Sequence, residues 1–193
     1  MSRIILASGS PRRKELLNQI GIEFEVIKST CEENAKAELP GELVKILSMT
    51  KAADVAGKIE KEADDDVLII GADTVVVCNG EILGKPKNEQ DAFDMLKKLQ
   101  GKTHSVFTGV TLISLRYGKE LFHSFDAETK VKVSLMNDDE IRNYISSGEP
   151  MDKAGAYGIQ GVFAKYIEEI EGDYYNVVGL PISRLYQELK IFL

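Results

Sequence analysis

Short apolar runs alternate with amphipathic stretches along the first hundred residues. Residues 3–7, RIILA, are an apolar run of strand length and predict a buried strand. Ser8-Gly9-Ser10-Pro11 follows as a tight loop. Ser10 suits a helix N-cap, and Pro11 suits the first helical position, where its missing N–H costs nothing. Leu16, Leu17 and Ile20 recur at helical spacing, so a helix runs from Pro11 to about Ile20, ended by Gly21. Residues 24–27 read as a second strand, and 29–41 as a polar loop. Pro40 opens a long helix with Leu43, Ile46, Leu47 and Met49 facing inward. Residues 67–70 form a continuous apolar run that suits a strand buried on both faces. Gly71, Ala72 and Asp73 interrupt it before a second apolar run at 75–77. Asn79-Gly80 is a strong hairpin signal, and the chain returns through 81–84 to Lys85-Pro86.

Beyond the hairpin, Asn88 caps a helix through about Leu99, with Ala92, Phe93, Met95, Leu96 and Leu99 inward and Gly101 closing it. Residues 104–115 alternate as a strand. A Tyr117-Gly118-Lys119 turn joins them to a partner strand over 121–133. Asn137 or Asp138 caps a short helix over 140–145, ended by Gly148. Residues 152–161, DKAGAYGIQG, carry three glycines and little periodicity, which marks a backbone shaped for a task. Residues 162–170 look strand-like, 173–178 form a loop, and Gly179-Leu180-Pro181 leads into a last helix ending near Lys190. That helix has Ile182, Leu185, Tyr186 and Leu189 on its apolar side. Alternation followed by a meander predicts an α/β fold with a mixed sheet, in one domain with no internal repeat.

Composition narrows the function classes. The chain has 193 residues, 44% hydrophobic and 28% charged, enough for a proper core. Its net charge of -7 argues against a nucleic-acid partner, and an anionic substrate then requires a local basic pocket. No apolar run has transmembrane length and no signal peptide is expected, so neither a membrane partner nor export is predicted. Cys31 and Cys78 form no spaced motif, which suits reduced thiols in the cytoplasm. With only His104 and His123, zinc is disfavoured, and any metal is expected to be a hard, oxygen-ligated ion.

Within this frame a few positions carry chemistry. Asp73 lies between apolar runs, where a carboxylate is costly to bury unless compensated, and the hairpin folds Lys85 back towards its neighbourhood. That pair reads either as a phosphate-metal site or as a structural ion pair at a strand end. A strand leading through Ser8-Gly9-Ser10 into a helix N-terminus is an anion-binding layout. Arg12, Arg13 and Lys14 lie in the first turn, where cations oppose the helix dipole; the readings are a phosphate site or a solvated basic turn. Lys51 follows in the long helix among Ala52, Ala53 and Ala56, and by itself carries little weight. Glu32 and Glu33 read as loop charges. Gly101-Lys102-Thr103 mimics the end of a P-loop, but the earlier glycine would fall at Leu96, so that motif is rejected.

Five segments occur together in one order: 7–13 (ASGSPRR), 71–76 (GADTVV), 84–86 (GKP), 152–161 (DKAGAYGIQG) and 177–181 (VVGLP). Together they closely resemble the Maf family of nucleoside triphosphate pyrophosphatases, over nearly the whole chain. The resemblance implies a mixed α/β fold with a twisted central sheet and flanking helices, in two lobes around a deep cleft. It implies hydrolysis of a nucleoside triphosphate to monophosphate and pyrophosphate with a divalent metal cation, Mg²⁺ or in its place Mn²⁺ or Co²⁺. Asp73 matches the family's catalytic carboxylate, and Ser8, Arg13, Glu33, Lys51 and Lys85 match its polar cleft positions. Arg12, Thr74 and Gln160 match the subgroup that prefers dTTP and UTP, and the family suggests a homodimer.

The implied residues have the required chemistry. Asp73 and Glu33 are hard oxygen donors for a metal, and Asp73 can also accept a water's proton. Arg13, Lys51 and Lys85 neutralise phosphate charge, while Ser8 and backbone N–H groups bind phosphate oxygens. The Gln160 amide offers a donor and an acceptor to the O4/N3 edge of thymine or uracil, and the glycines around it are expected to let backbone approach the base. The alternative reading is a nucleotide-binding regulator of septum formation. An aspartyl-phosphate phosphatase is set aside, because a second Asp is needed two residues on and position 75 is Val.

Overall fold

The structure is a computed structural model that describes residues 3–32, 35–60 and 66–192. Its strands are β1 (Arg3–Leu6), β2 (Glu25–Val26), β3 (Asp66–Cys78), β4 (Glu81–Leu83), β5 (Thr103–Arg116), β6 (Lys119–Val133) and β7 (Ile167–Glu171). The helices are α1 (Pro11–Gln19), α2 (Pro40–Ala56), α3 (Glu89–Leu99), α4 (Asp138–Ile145), α5 (Tyr174–Val178) and α6 (Ile182–Phe192). The sheet runs β2-β1-β3-β5-β6-β7, with β4 also on β3. It is mixed: β1 is parallel to both β2 and β3, while β4 and β7 pair antiparallel. Asn79 and Gly80 turn β3 into β4 with φ of 51° and 79°, as an Asn-Gly hairpin requires.

The chain divides into two compact units. The first comprises Met1–Asp73, Thr108–Ala127 and Gly179–Leu193; the second comprises Thr74–Phe107 and Glu128–Val178. In the first unit, Ile5, Ala52, Val55, Ile69 and Ile113 form a buried cluster between α2 and the strands. Two glycines let α2 lie directly on the sheet. A Cβ at Gly71 would collide with the Ser48 carbonyl oxygen, and one at Gly109 with the Val44 carbonyl group. Ser48 Oγ donates to the Lys45 carbonyl at 2.9 Å and meets Thr111 Oγ1 at 2.8 Å, which in turn meets Ser124 Oγ at 2.8 Å. One proton per hydroxyl orders this chain as Ser124 to Thr111 to Ser48 to Lys45. The contact ties α2 to β5 and β6 without leaving a buried hydroxyl unmet.

Four local expectations are corrected. Ile46 is 44% exposed, because Val44 and Ser48 take the sheet-facing positions of α2. Tyr186 is 48% exposed, because Ile182, Leu185 and Leu189 fill the buried stripe of α6. Residues 162–170 are not one strand: Val162–Tyr166 is a 3-10 helix, and only Ile167–Glu171 is β7. Phe163 and Tyr166 are both buried, and a spacing of three puts them on the same side of a helical turn but on opposite faces of a strand. Residues 174–178 are helical rather than loop, with Asp173 Oδ1 accepting the Tyr175 N–H at 2.8 Å.

Candidate active site

In the first unit the candidate residues are placed by the β1–α1 loop, by α2 and by the middle of β3. Ser10 occupies the N-cap of α1 in an extended conformation, yet its side chain makes no capping bond. The hydroxyl that is engaged in this loop is that of Ser8, which is buried. Its Oγ accepts the Ser10 N–H at 3.3 Å and Arg13 Nη1 at 3.0 Å. Arg13 also donates through Nε to the carbonyl of Gly179 at 2.8 Å. Only 9% of Arg13 is exposed, which removes the solvated-turn reading for this residue. The guanidinium thus joins the β1–α1 loop to the start of the chain's last segment. Gly179 holds a φ of 125°, a conformation that favours glycine. Arg12, next to Arg13 in the chain, is half-buried.

Asp73 is buried and forms an ion pair with Lys51, with Nζ 2.5 Å from Oδ1. Side-chain exposures of 14% and 10% place both charges largely out of water, where each offsets the other's desolvation. The cation at Asp73 is therefore a helix lysine to which the sequence assigns little weight. It arrives there because Gly71 admits α2 against β3 at Ser48 and Ala52, which flank Lys51 along the helix. Further along α2, Asp54 accepts Ser29 Oγ–H and Thr30 N–H at 2.8 Å each, and Lys58 Nζ at 2.7 Å. These bonds, led by the one from Lys58, hold the Asp54 carboxyl down at about 2. They also pin the start of the loop that leads to Glu33, which itself lies outside the described residues.

The second unit holds Thr74, Lys85 and Gln160. Thr74 is half-buried, whereas Lys85 and Gln160 are exposed. Lys85 follows β4, where the Gly84 carbonyl accepts the Gly155 N–H at 3.0 Å. That bond joins the Gly84-Lys85-Pro86 motif to the glycine-rich segment. Gln160 is the third residue of a tight turn closed by the Gly161 N–H on the Gly158 carbonyl at 3.2 Å.

The glycines of this segment have a packing role within the protein itself. A Cβ at Gly155 would press on Val76 at 2.9 Å, and one at Gly158 on Lys153 at 2.6 Å. At Gly161 a Cβ would overlap the Glu149 carboxylate. Protein side chains occupy the space the glycines leave. Below the segment, Tyr157 shares a 2.8 Å hydrogen bond with His104 Nε2. Burial lowers His104 to about 4, so its ring is neutral at pH 7. Sequence reading missed Glu149, Tyr144 and His104; the only available signal was the glycine spacing itself, which shows that something must sit close.

Among the described residues, no group of three His, Cys, Asp or Glu could hold a metal, and no helix is long and apolar enough to cross a membrane. One buried carboxylate, Asp73, is still compatible with Mg²⁺, which characteristically uses one or two carboxylates together with substrate phosphates and water.

Residues 3–192 match the family of Maf-like proteins. A dTTP/UTP pyrophosphatase of Agathobacter rectalis is 54% identical over 98% of this chain and 97% of its own length. One of Thermoanaerobacter sp. strain X514 is 52% identical over 97% of this chain and 95% of its own. A third, of Bacillus thuringiensis subsp. konkukian, is 49% identical over 100% and 96% respectively.

Proposed function

This chain belongs to the Maf-like family, and on that premise we propose that it is a nucleoside triphosphate pyrophosphatase acting on dTTP and UTP, modified pyrimidine nucleotides included. The reading rests on end-to-end similarity to dTTP/UTP pyrophosphatases. The observation that carries it in the structure is the buried Lys51–Asp73 pair. A water oxygen attacks the α-phosphorus, the bond from that phosphorus to the bridging oxygen breaks, and pyrophosphate leaves. Asp73 accepts the water's proton. Lys51 orients the Asp73 carboxylate and adds positive charge. Arg13 and Lys85 neutralise phosphate oxygens, and Ser8 with nearby backbone N–H groups hydrogen-bonds them. Arg12, Thr74 and Gln160 are assigned to the pyrimidine base. Asp73 and Glu33 would hold Mg²⁺, or Mn²⁺ or Co²⁺ in its place, which when bound supplies charge neutralisation along the phosphates.

The free thiols Cys31 and Cys78 suit a reducing compartment, and the cytoplasm is the proposed location. A homodimer is the proposed assembly, to be checked by mass measurement in solution. The decisive experiment is a panel of dTTP, UTP, CTP, GTP and ATP with Mg²⁺, scoring pyrophosphate against orthophosphate. Pyrophosphate from dTTP and UTP, abolished by a chelator, is expected. Orthophosphate as the first product overturns the reading, and binding without turnover points instead to a nucleotide-dependent regulator.

A further inference from the structure

The turn that presents Gln160 is braced on both sides by one carboxylate. Glu149 Oε2 accepts the Val162 N–H at 3.0 Å, on the far side of the turn. Its Oε1 accepts the Tyr144 hydroxyl proton at 2.8 Å, and that hydroxyl oxygen accepts the Gly158 N–H at 3.1 Å, on the near side. Residues 158 and 162 bracket Gln160, so Glu149 spans the turn like a staple. Gly161, within the turn, has no side chain because the Glu149 carboxylate fills that place. The backbone carbonyl of Glu149 is held as well, accepting from Lys153 Nζ at 2.6 Å. Burial, and after it the bond to Glu149, pushes the Tyr144 phenol well above its ordinary range, so the hydroxyl remains a donor to Glu149 throughout the neutral region. Gln160 itself is exposed and Ile159 buried, so the turn is anchored on one side and presents the amide on the other.

We propose that Glu149 is the positioning residue for base selection, holding the 158–162 turn so that Gln160 is presented in one orientation. The inference rests on the assignment of Gln160 to the pyrimidine base. A base reader discriminates only if its donor and acceptor are held in register with the base edge; a loose amide satisfies several bases equally. Glu149 acts through the backbone on either side of Gln160 and takes no part in the chemical step. Releasing it therefore affects KM and base preference more than turnover at saturation.

Three variants test this. Glu149→Ala removes both bonds. Glu149→Gln keeps one bond, accepting the Val162 N–H through its amide oxygen, but turns its NH2 towards Tyr144, whose buried hydroxyl proton then loses its acceptor. Gly161→Ala has a backbone conformation open to any residue, φ -97°, but its methyl displaces the carboxylate, and so breaks the clamp without touching Glu149.

The amides of Gly158 and Val162 are followed by hydrogen exchange in each variant, alongside KM, turnover and the UTP-to-GTP ratio of kcat/KM. We expect faster exchange in Glu149→Ala and Gly161→Ala, a rise of about tenfold in KM for UTP, and a similar fall in the ratio, from the loss of a positioned polar contact. Turnover at saturation should change far less, and Glu149→Gln, which keeps only the Val162 bond, should fall between wild type and Glu149→Ala. If Glu149→Ala fails to fold, Gly161→Ala carries the same test. Unchanged exchange overturns the clamp. Faster exchange with an unchanged ratio overturns its role in selection, provided Gln160→Ala shifts that ratio. If Gln160→Ala leaves the ratio unmoved too, the base assignment itself has failed and the proposal falls with it.

Discussion

Asp73 and Lys51 are 22 residues apart in the chain and meet because a helix is packed face-on against a sheet. Gln160 sits on a turn whose supports, Tyr144, Glu149 and Lys153, all lie within about one helix-and-loop of it in the second unit. The first arrangement depends on core packing: Gly71, Gly109 and the Ser48–Thr111–Ser124 chain decide where α2 lies, and α2 decides where the ammonium goes. The second depends on a handful of local hydrogen bonds. The contrast teaches that the buried Lys51–Asp73 pair proposed for bond cleavage is built into the core of one unit. The residue proposed for substrate choice is instead held on an exposed turn. Changes to the first should cost activity on every substrate, and changes to the second should redistribute activity among substrates.

The largest break in that contrast is Asp73→Asn. It keeps the size of the side chain but removes the charge and the proton acceptor, and turnover should fall by roughly two to four orders of magnitude for UTP and dTTP alike. The fold should survive, with a lowered melting temperature because Lys51 is then buried without its anion. A variant with near-normal turnover would place the base elsewhere, with Glu33 the first candidate.

Lys51→Ala sharpens the same side of the comparison. It leaves Asp73 buried without its cation, so we expect a loss of stability of about 3 kcal/mol in urea unfolding together with reduced turnover on all substrates. Adding Asp73→Asn to it should recover much of the stability but none of the activity. A double variant as unstable as Lys51→Ala alone would show that the pair is not what Lys51 contributes.

Gln160→Glu addresses the other side. An ionised glutamate only accepts, so the contact to O4 of the pyrimidine loses its donor. The UTP-to-GTP turnover ratio should drop by an order of magnitude or so. The melting temperature should scarcely move, because the side chain is exposed. An unchanged ratio with a lowered melting temperature would assign Gln160 to the structure of the turn.

The last test concerns stability rather than activity, at the buried ring beneath that turn. His104 has its folded value lowered to about 4 by desolvation, against an ordinary value of 6.5. The unfolded chain therefore binds the proton that the folded state refuses. Stability from this group is complete above the unfolded value and is lost as pH falls from 6.5 towards 4. Between pH 7 and pH 5 the loss should be about 2 kcal/mol, by linkage. His104→Gln, which still offers Tyr157 a partner, should flatten that slope in urea unfolding across the same range. A slope that is the same in both proteins would show that His104 titrates normally.

Sequence by itself determined most of the architecture. Apolar runs at 3–7 and 67–70, the caps at Asn88 and Asn137, the Asn79-Gly80 turn and the glycine stops all act over a few residues. Each is settled by local sterics and hydrogen bonding, and each appears where expected. The candidate residues were legible as types in ordered motifs, and their resemblance to one family named the activity. Tertiary structure decided what touches what. It gave Asp73 the cation Lys51, showed Arg13 holding Gly179 rather than facing water, and filled the space left by Gly161 with Glu149. It also turned 162–166 into a 3-10 helix, because Phe163 and Tyr166 both needed burial on the same side. The physical reason is common to all of these. An ion pair or a clamp between distant residues depends on how elements pack, and packing is set by volumes and unpaired donors summed over the fold, which no local window of sequence contains.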